Sequence, residues 1–163
     1  MELKRHISFK NLFFVVYVLA FVVYIVIGLQ PAKAHDYEIS GQLDIPGIGL
    51  TSDVTTLEIN NRKLDTPDTI VGSYSRNDNK TLLIGHSTTV FQNLDDVKEG
   101  DEVRFNSKTY HVNNIVIQAK EDISMAKLLK KEDNDTIVLM TCAGELLGGG
   151  DATHRLIITA SIR

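Results

Sequence analysis

The chain has a single thiol, Cys142, and an ionised thiol is an intrinsically strong nucleophile. It directly follows the apolar stretch Thr136–Thr141, which reads as a strand, and Ala143-Gly144 come after it. A nucleophile at a strand end is held by the sheet yet faces a loop that can open to substrate. A thiolate needs a base or a cation nearby, and His86, His111 and His154 are the candidate bases. His86 closes the apolar run Leu82-Leu83-Ile84-Gly85-His86-Ser87, so its placement matches that of Cys142. His111 lies inside a hairpin strand. His154 precedes Arg155, and strand alternation would send those two side chains to opposite faces.

Arg155 opens a strand in which Leu156, Ile158, Ala160 and Ile162 share one face, while Arg155 falls on the other. A guanidinium beside a thiolate can stabilise negative charge developing on a substrate carbonyl. The same three residues also admit plainer roles. A lone cysteine can be a small buried hydrophobe, a strand-end histidine can be structural, and an arginine at a strand start can sit on the surface. Spacing alone does not choose between these readings.

One cysteine excludes an internal disulfide and a multi-thiolate zinc site, so the fold must rest on its core. The histidines and nearby carboxylates lack metal-ligand spacing, and neither a metal nor a cofactor is expected. Of 163 residues, 43% are hydrophobic and 23% charged, as in a globular chain. Lys4, Arg5 and Lys10 against Glu2 give the first ten residues a charge of +2, so the rest carries −6 of the net −4. Such an acidic body does not suit nucleic-acid phosphates.

Residues 12–29 are almost wholly apolar, and eighteen residues at about 1.5 Å each span roughly 27 Å, close to the hydrocarbon thickness of a bilayer. The preceding positive charges predict a cytoplasmic tail over residues 1–11, with residues 31–163 outside the cell membrane. Ala32-Lys33-Ala34 resembles a signal-peptide cleavage site, but the apolar run is longer than a signal core, which favours an uncleaved anchor. Residues 30–41 read as a linker and 42–163 as the exported domain.

The domain reads as short strands. They are expected at Gln42–Ile45, Val54–Ile59, Thr81–Gly85, Glu102–Phe105, Thr109–Gln118, Thr136–Thr141 and Arg155–Ile162. Leu64–Ser75 is ambiguous, and Phe91–Val97 suggests a short turn with Phe91 and Leu94 on one side. One helix is expected over Ile123–Lys131, capped by Asp122. Many strands and few short helices predict an all-β fold, a closed or nearly closed barrel, behind one transmembrane helix.

Taken in order, several stretches resemble the sortase family of cysteine transpeptidases. They are Leu43-Asp44-Ile45-Pro46-Gly47-Ile48, Leu83-Ile84-Gly85-His86-Ser87, Phe91-Gln92-Asn93-Leu94, Gly100-Asp101-Glu102-Val103, Val138-Leu139-Met140-Thr141-Cys142 and His154-Arg155-Leu156-Ile157-Ile158. Arg155 lies thirteen positions after Cys142. The resemblance implies an eight-stranded sortase barrel with Cys142 as nucleophile, His86 as acid/base and Arg155 as oxyanion stabiliser. It also implies that Thr141 and Ala143, flanking the cysteine, shape the site. The implied reaction cleaves an LPXTG-like sorting signal through a thioacyl-enzyme and passes the surface protein to an amine of the cell wall, such as a peptidoglycan precursor. The implied partners are proteins bearing that signal, the amine acceptor and, through the anchor, membrane lipid. Structural calcium, which some sortases carry, is left open. Gly148-Gly149-Gly150 is an unusually flexible run for a loop expected to border the substrate groove, and the sortase class is unassigned. The competing functions are an exported binding barrel without catalysis and a thiol peptidase that only hydrolyses.

Overall fold

A computed structural model describes residues 15–21, 37–60, 63–64, 66–77, 79–147 and 151–162. The chain divides into two compact units, Met1–Asp36 and Tyr37–Arg163. In the first, residues 15–21 are helical. The expected anchor over residues 12–29 lies largely outside the described residues, and among those described no helix is long and apolar enough to cross a membrane.

Among its described residues the second unit contains ten strands: β1 (Ile39–Ile45), β2 (Leu50–Thr56), β3 (Ile59–Asn60), β4 (Lys63–Leu64), β5 (Val71–Asn77), β6 (Lys80–Ile84), β7 (Glu102–Phe105), β8 (Lys108–Ala119), β9 (Thr136–Leu147) and β10 (Asp151–Ser161). Eight of them close into a barrel in the order β1-β2-β5-β6-β9-β10-β8-β7, while β3 and β4 form a separate ladder. This is the all-β, eight-stranded barrel expected from the sequence. Most neighbours are antiparallel, but β2–β5 and β6–β9 are parallel.

Alternation explains how the sequence closes this sheet. In β7, Val103 and Phe105 point into the barrel, while Glu102 and Arg104 face out and pair with each other. The hairpin from β7 to β8 turns through Asn106 and Ser107, both with positive φ (47° and 66°), the backbone of a type I′ turn. Leu43, Ile45, Val54, Leu83, Phe91, Leu139 and Ile158 are among the residues that fill the interior. A second cluster lies on the outer face, where Leu82, Ile84, Val138 and Ile157 meet Leu57 and Leu129. Ile123, Met125 and Leu128 pack against it, so the segment before β9 roofs part of the sheet. Being apolar on both faces, β6 reads in the sequence as a continuous hydrophobic run rather than an alternating one.

Several boundaries differ from expectation. The helix expected over Ile123–Lys131 shrinks to one turn, Met125–Leu128, and Ser124 rather than Asp122 takes the N-cap position. Residues Lys120–Asp122 form a separate 3-10 turn, and tertiary contact with the outer cluster holds the segment where propensity would have extended a helix. Phe91 and Leu94 are buried as expected, but the helical residues there are the 3-10 turn Leu94–Asp96. The strand expected at Thr136–Thr141 continues to Leu147, and that expected from Arg155 starts at Asp151. The extension is a hairpin arm that pairs with itself, with a register shift between Ala152 and His154 and a positive φ of 76° at Gly144. Cys142 therefore sits within a paired strand rather than just beyond one.

Candidate active site

Three adjacent strands, β6, β9 and β10, position the candidate residues. The parallel ladder between β6 and β9 ends with Ile84 opposite Met140. Gly85 N–H extends it by donating to the Met140 carbonyl at 3.4 Å. His86 and Cys142 each lie two residues past that last pair, on strands that run side by side about 4.8 Å apart. On the other side of β9, Arg155 pairs directly with Cys142.

Facing follows from the same alternation. Met140 and Ile157 both belong to the outer cluster, and Cys142 and Arg155 each stand two residues from one of them within paired strands. Cys142 and Arg155 thus lie side by side on the outer face, just past the apolar surface roofed by Met125 and Leu128, and His86 follows the end of the neighbouring β6. Cys142 is partly exposed and free of any disulfide.

Thr141 and Ala143 take the opposite face. Thr141 is buried, and its hydroxyl donates to the Gly85 carbonyl at 2.8 Å, which ties the end of β6 to β9 one residue before both His86 and Cys142. Ala143 packs against the interior cluster. Both therefore lie behind Cys142 on the interior side, not beside it. Gly85 is required by close approach: a Cβ there would lie 2.6 Å from Val90 Cγ1 and 2.7 Å from Phe91 Cδ2.

His86 Nε2 lies 3.3 Å from the Thr66 carbonyl oxygen and 3.8 Å from Asp68 Oδ1. Thr89 Oγ1 donates to the Asp68 carbonyl at 2.5 Å, so the loop before β5 is fastened to the turn that carries the imidazole. Arg155 is mostly buried and well held. Its Nη1 donates to the Ala152 and His154 carbonyls at 2.9 and 2.8 Å, and its Nη2 pairs with Asp151 Oδ1 at 2.6 Å. Asp151 also pairs with Lys120. Lys120 and Arg155 together hold its carboxyl well below the usual carboxylate range.

The other histidines do not join this group. His154 pairs with Ala143 in the ladder, and its Nδ1 bonds the Thr153 hydroxyl. His111 pairs with Ser161, six positions along β10 from Arg155, or about 20 Å at 3.3 Å per residue. A cleft of about 550 Å³ opens elsewhere, lined by residues that include Ser52, Asp53, Thr89 and Gln92, and contains none of the trio. Asp68, Thr66 and Asp151 were not singled out from the sequence. Only the tertiary fold carries Asp68 and Thr66 to His86, while the four-residue spacing of Asp151 and Arg155 is uninformative without the strand boundary.

The family model for the sortase domain matches residues 43–163. The chain belongs to the sortase family. Solved structures similar to this sortase include a lid mutant of sortase A from Corynebacterium diphtheriae, at 25% identity and a TM-score of 0.57, covering 82% of this chain and 74% of that one. Sortase A from Listeria monocytogenes has a TM-score of 0.60 at 14% identity, covering 77% and 87% of the two chains. A Clostridium perfringens sortase D5 transpeptidase gives 0.57 at 20% identity, covering 78% and 83%. No curated protein sequence matches the chain. Sortases are cysteine transpeptidases, and the family's substrates are in general proteins bearing a sorting signal and amine acceptors.

Proposed function

We propose that this sortase cleaves an LPXTG-like sorting signal between threonine and glycine, with Cys142 as nucleophile, His86 as acid and base, and Arg155 as oxyanion stabiliser. The observation that carries this reading is that Arg155 pairs with Cys142 across β9 and β10, while His86 and Cys142 each lie two residues past the last β6–β9 pair. The Cys142 thiolate adds to the threonine carbonyl carbon, and Arg155 N–H groups receive the resulting oxyanion. Collapse of this intermediate breaks the C–N bond, and His86 gives its proton to the departing glycine amine. The thioester then meets an acceptor amine, which forms the new amide, returns a proton to His86 and expels the thiolate. Met140, partly exposed and just behind Cys142, offers apolar surface for the leucine or proline of the signal.

The acceptor is proposed to be a cell-wall amine such as a peptidoglycan precursor. The apolar segment over residues 12–29 would hold the enzyme at the membrane, with its N-terminus in the cytoplasm and the barrel outside. Mass spectrometry of the protein incubated with an LPXTG peptide tests the chemistry. A thioacyl adduct on the parent, absent from Cys142→Ala, is expected, and triglycine should convert the adduct into a ligated peptide. No adduct on the parent refutes the reading, while an adduct that only water resolves refutes the transfer step.

A further inference from the structure

The arginine of the trio is not presented as a free side chain. Three of its N–H groups are engaged within its own hairpin arm, by the carbonyls of Ala152 and His154 and by the Asp151 carboxylate. An arginine has five such donors, so two are left to reach a carbonyl oxygen on the Cys142 side. An untethered arginine side chain samples many rotamers, and fixing one of them costs conformational entropy. The bonds to its own arm meet that cost before substrate arrives.

Pairing an arginine with a carboxylate raises a difficulty, because a one-to-one pair cancels the charge an oxyanion needs. Lys120 resolves it. It approaches Asp151 from the end of β8, where Ala119 pairs with His154, so the carboxylate lies between two cations. The cluster Lys120–Asp151–Arg155 carries a net +1, so the carboxylate orients the guanidinium without cancelling the positive charge of the group.

Resting on the role given to Arg155 above, we propose that Asp151 is a positioning residue for this sortase: it clamps the Arg155 guanidinium in the orientation that receives the oxyanion, and Lys120 keeps the clamp net positive. Asp151→Asn preserves shape but removes the charge that draws both cations. A charge-assisted hydrogen bond contributes enough that kcat for thioacyl formation should fall about tenfold or more, with KM changing less. Lys120→Gln, at an exposed position, should give a smaller loss of the same kind.

A double-mutant cycle separates positioning from general destabilisation. In an Arg155→Ala background, Asp151→Asn should cost almost nothing further, because there is no guanidinium left to orient. Melting curves establish that each variant is folded, and if Asp151→Asn fails to fold, Lys120→Gln carries the same cycle. Activity of Asp151→Asn within twofold of the parent, or losses that simply add in the double variant, overturn the proposal. A parent protein that forms no adduct with the sorting peptide overturns the functional reading, and the clamp falls with it. A parent that reacts while Asp151→Asn matches it refutes the clamp alone.

Discussion

Thr141 offers the most direct test of how the barrel sets the distance between His86 and Cys142. Its hydroxyl makes a 2.8 Å bond to the Gly85 carbonyl, and the residue is 4% exposed, so water cannot readily replace the donor. Thr141→Val keeps the volume and branching but strips the hydroxyl, leaving a carbonyl in the core without that partner. Such a loss costs about 1–3 kcal/mol. With a urea m-value of roughly 1–3 kcal/mol per molar, the unfolding midpoint should fall by about 1 M. Thr141→Ser keeps the donor and loses only a methyl group, worth about 1 kcal/mol, so the expected order of stability is parent, serine, valine. Thioacyl formation, measured under conditions where all three proteins are folded, should follow the same order, because the tie lies one residue before both His86 and Cys142. Urea titration and a quenched time course with a sorting peptide provide both readouts. A valine variant as stable and as fast as the parent, or one that outperforms serine, would refute the role given to this hydrogen bond.

Three further perturbations probe other parts of the fold. Gly85→Ala drives a methyl to within 2.7 Å of Val90 and Phe91, so it should destabilise by about 1–3 kcal/mol in urea titration and slow acylation by displacing His86. Ser107→Gly relieves a positive φ of 66° in the type I′ turn and should raise the urea midpoint, by roughly 0.5 kcal/mol of stability. Burial and the adjoining Asp135 carboxylate push the Tyr110 phenol from 10.0 up to about 12. Between those values the unfolded chain loses the phenolic proton while the folded one keeps it, so stability should be intact below pH 10 and decline as pH approaches 12. Tyr110→Phe should flatten that alkaline decline in denaturation measured across the range, and an unchanged slope would contradict the assignment.

Much of the architecture was legible in local pattern. The alternation in Glu102–Phe105, the continuous apolar run through Leu82–Ile84 and the turn residues Asn106-Ser107 reflect short-range sterics and burial, which act within a few residues. Cys142, His86 and Arg155 could be named as candidates from their strand-end placement, and their roles came from the order of the sortase-like stretches. Boundaries were harder. The hairpin arm of β9 and β10 is polar and glycine-rich, and it is a strand only because its two halves pair with each other. The segment before β9 has the apolar spacing of a helix, yet the outer face of the sheet claims those side chains and leaves one helical turn.

By itself, then, the sequence determined the strand-rich class and the ordered motifs that mark the family, and it named three candidate residues, since these depend on residue type and short-range pattern. Only the tertiary structure decided their relation. Parallel pairing of β6 with β9 and antiparallel pairing of β9 with β10 bring residues 86, 142 and 155 into one row, although 56 positions separate Thr141 from Gly85. The partners of the row, Asp68 at His86 and Asp151 with Lys120 at Arg155, are long-range or boundary-dependent contacts that no local pattern encodes. Register is a property of closed pairing, and it exists only once the barrel has formed.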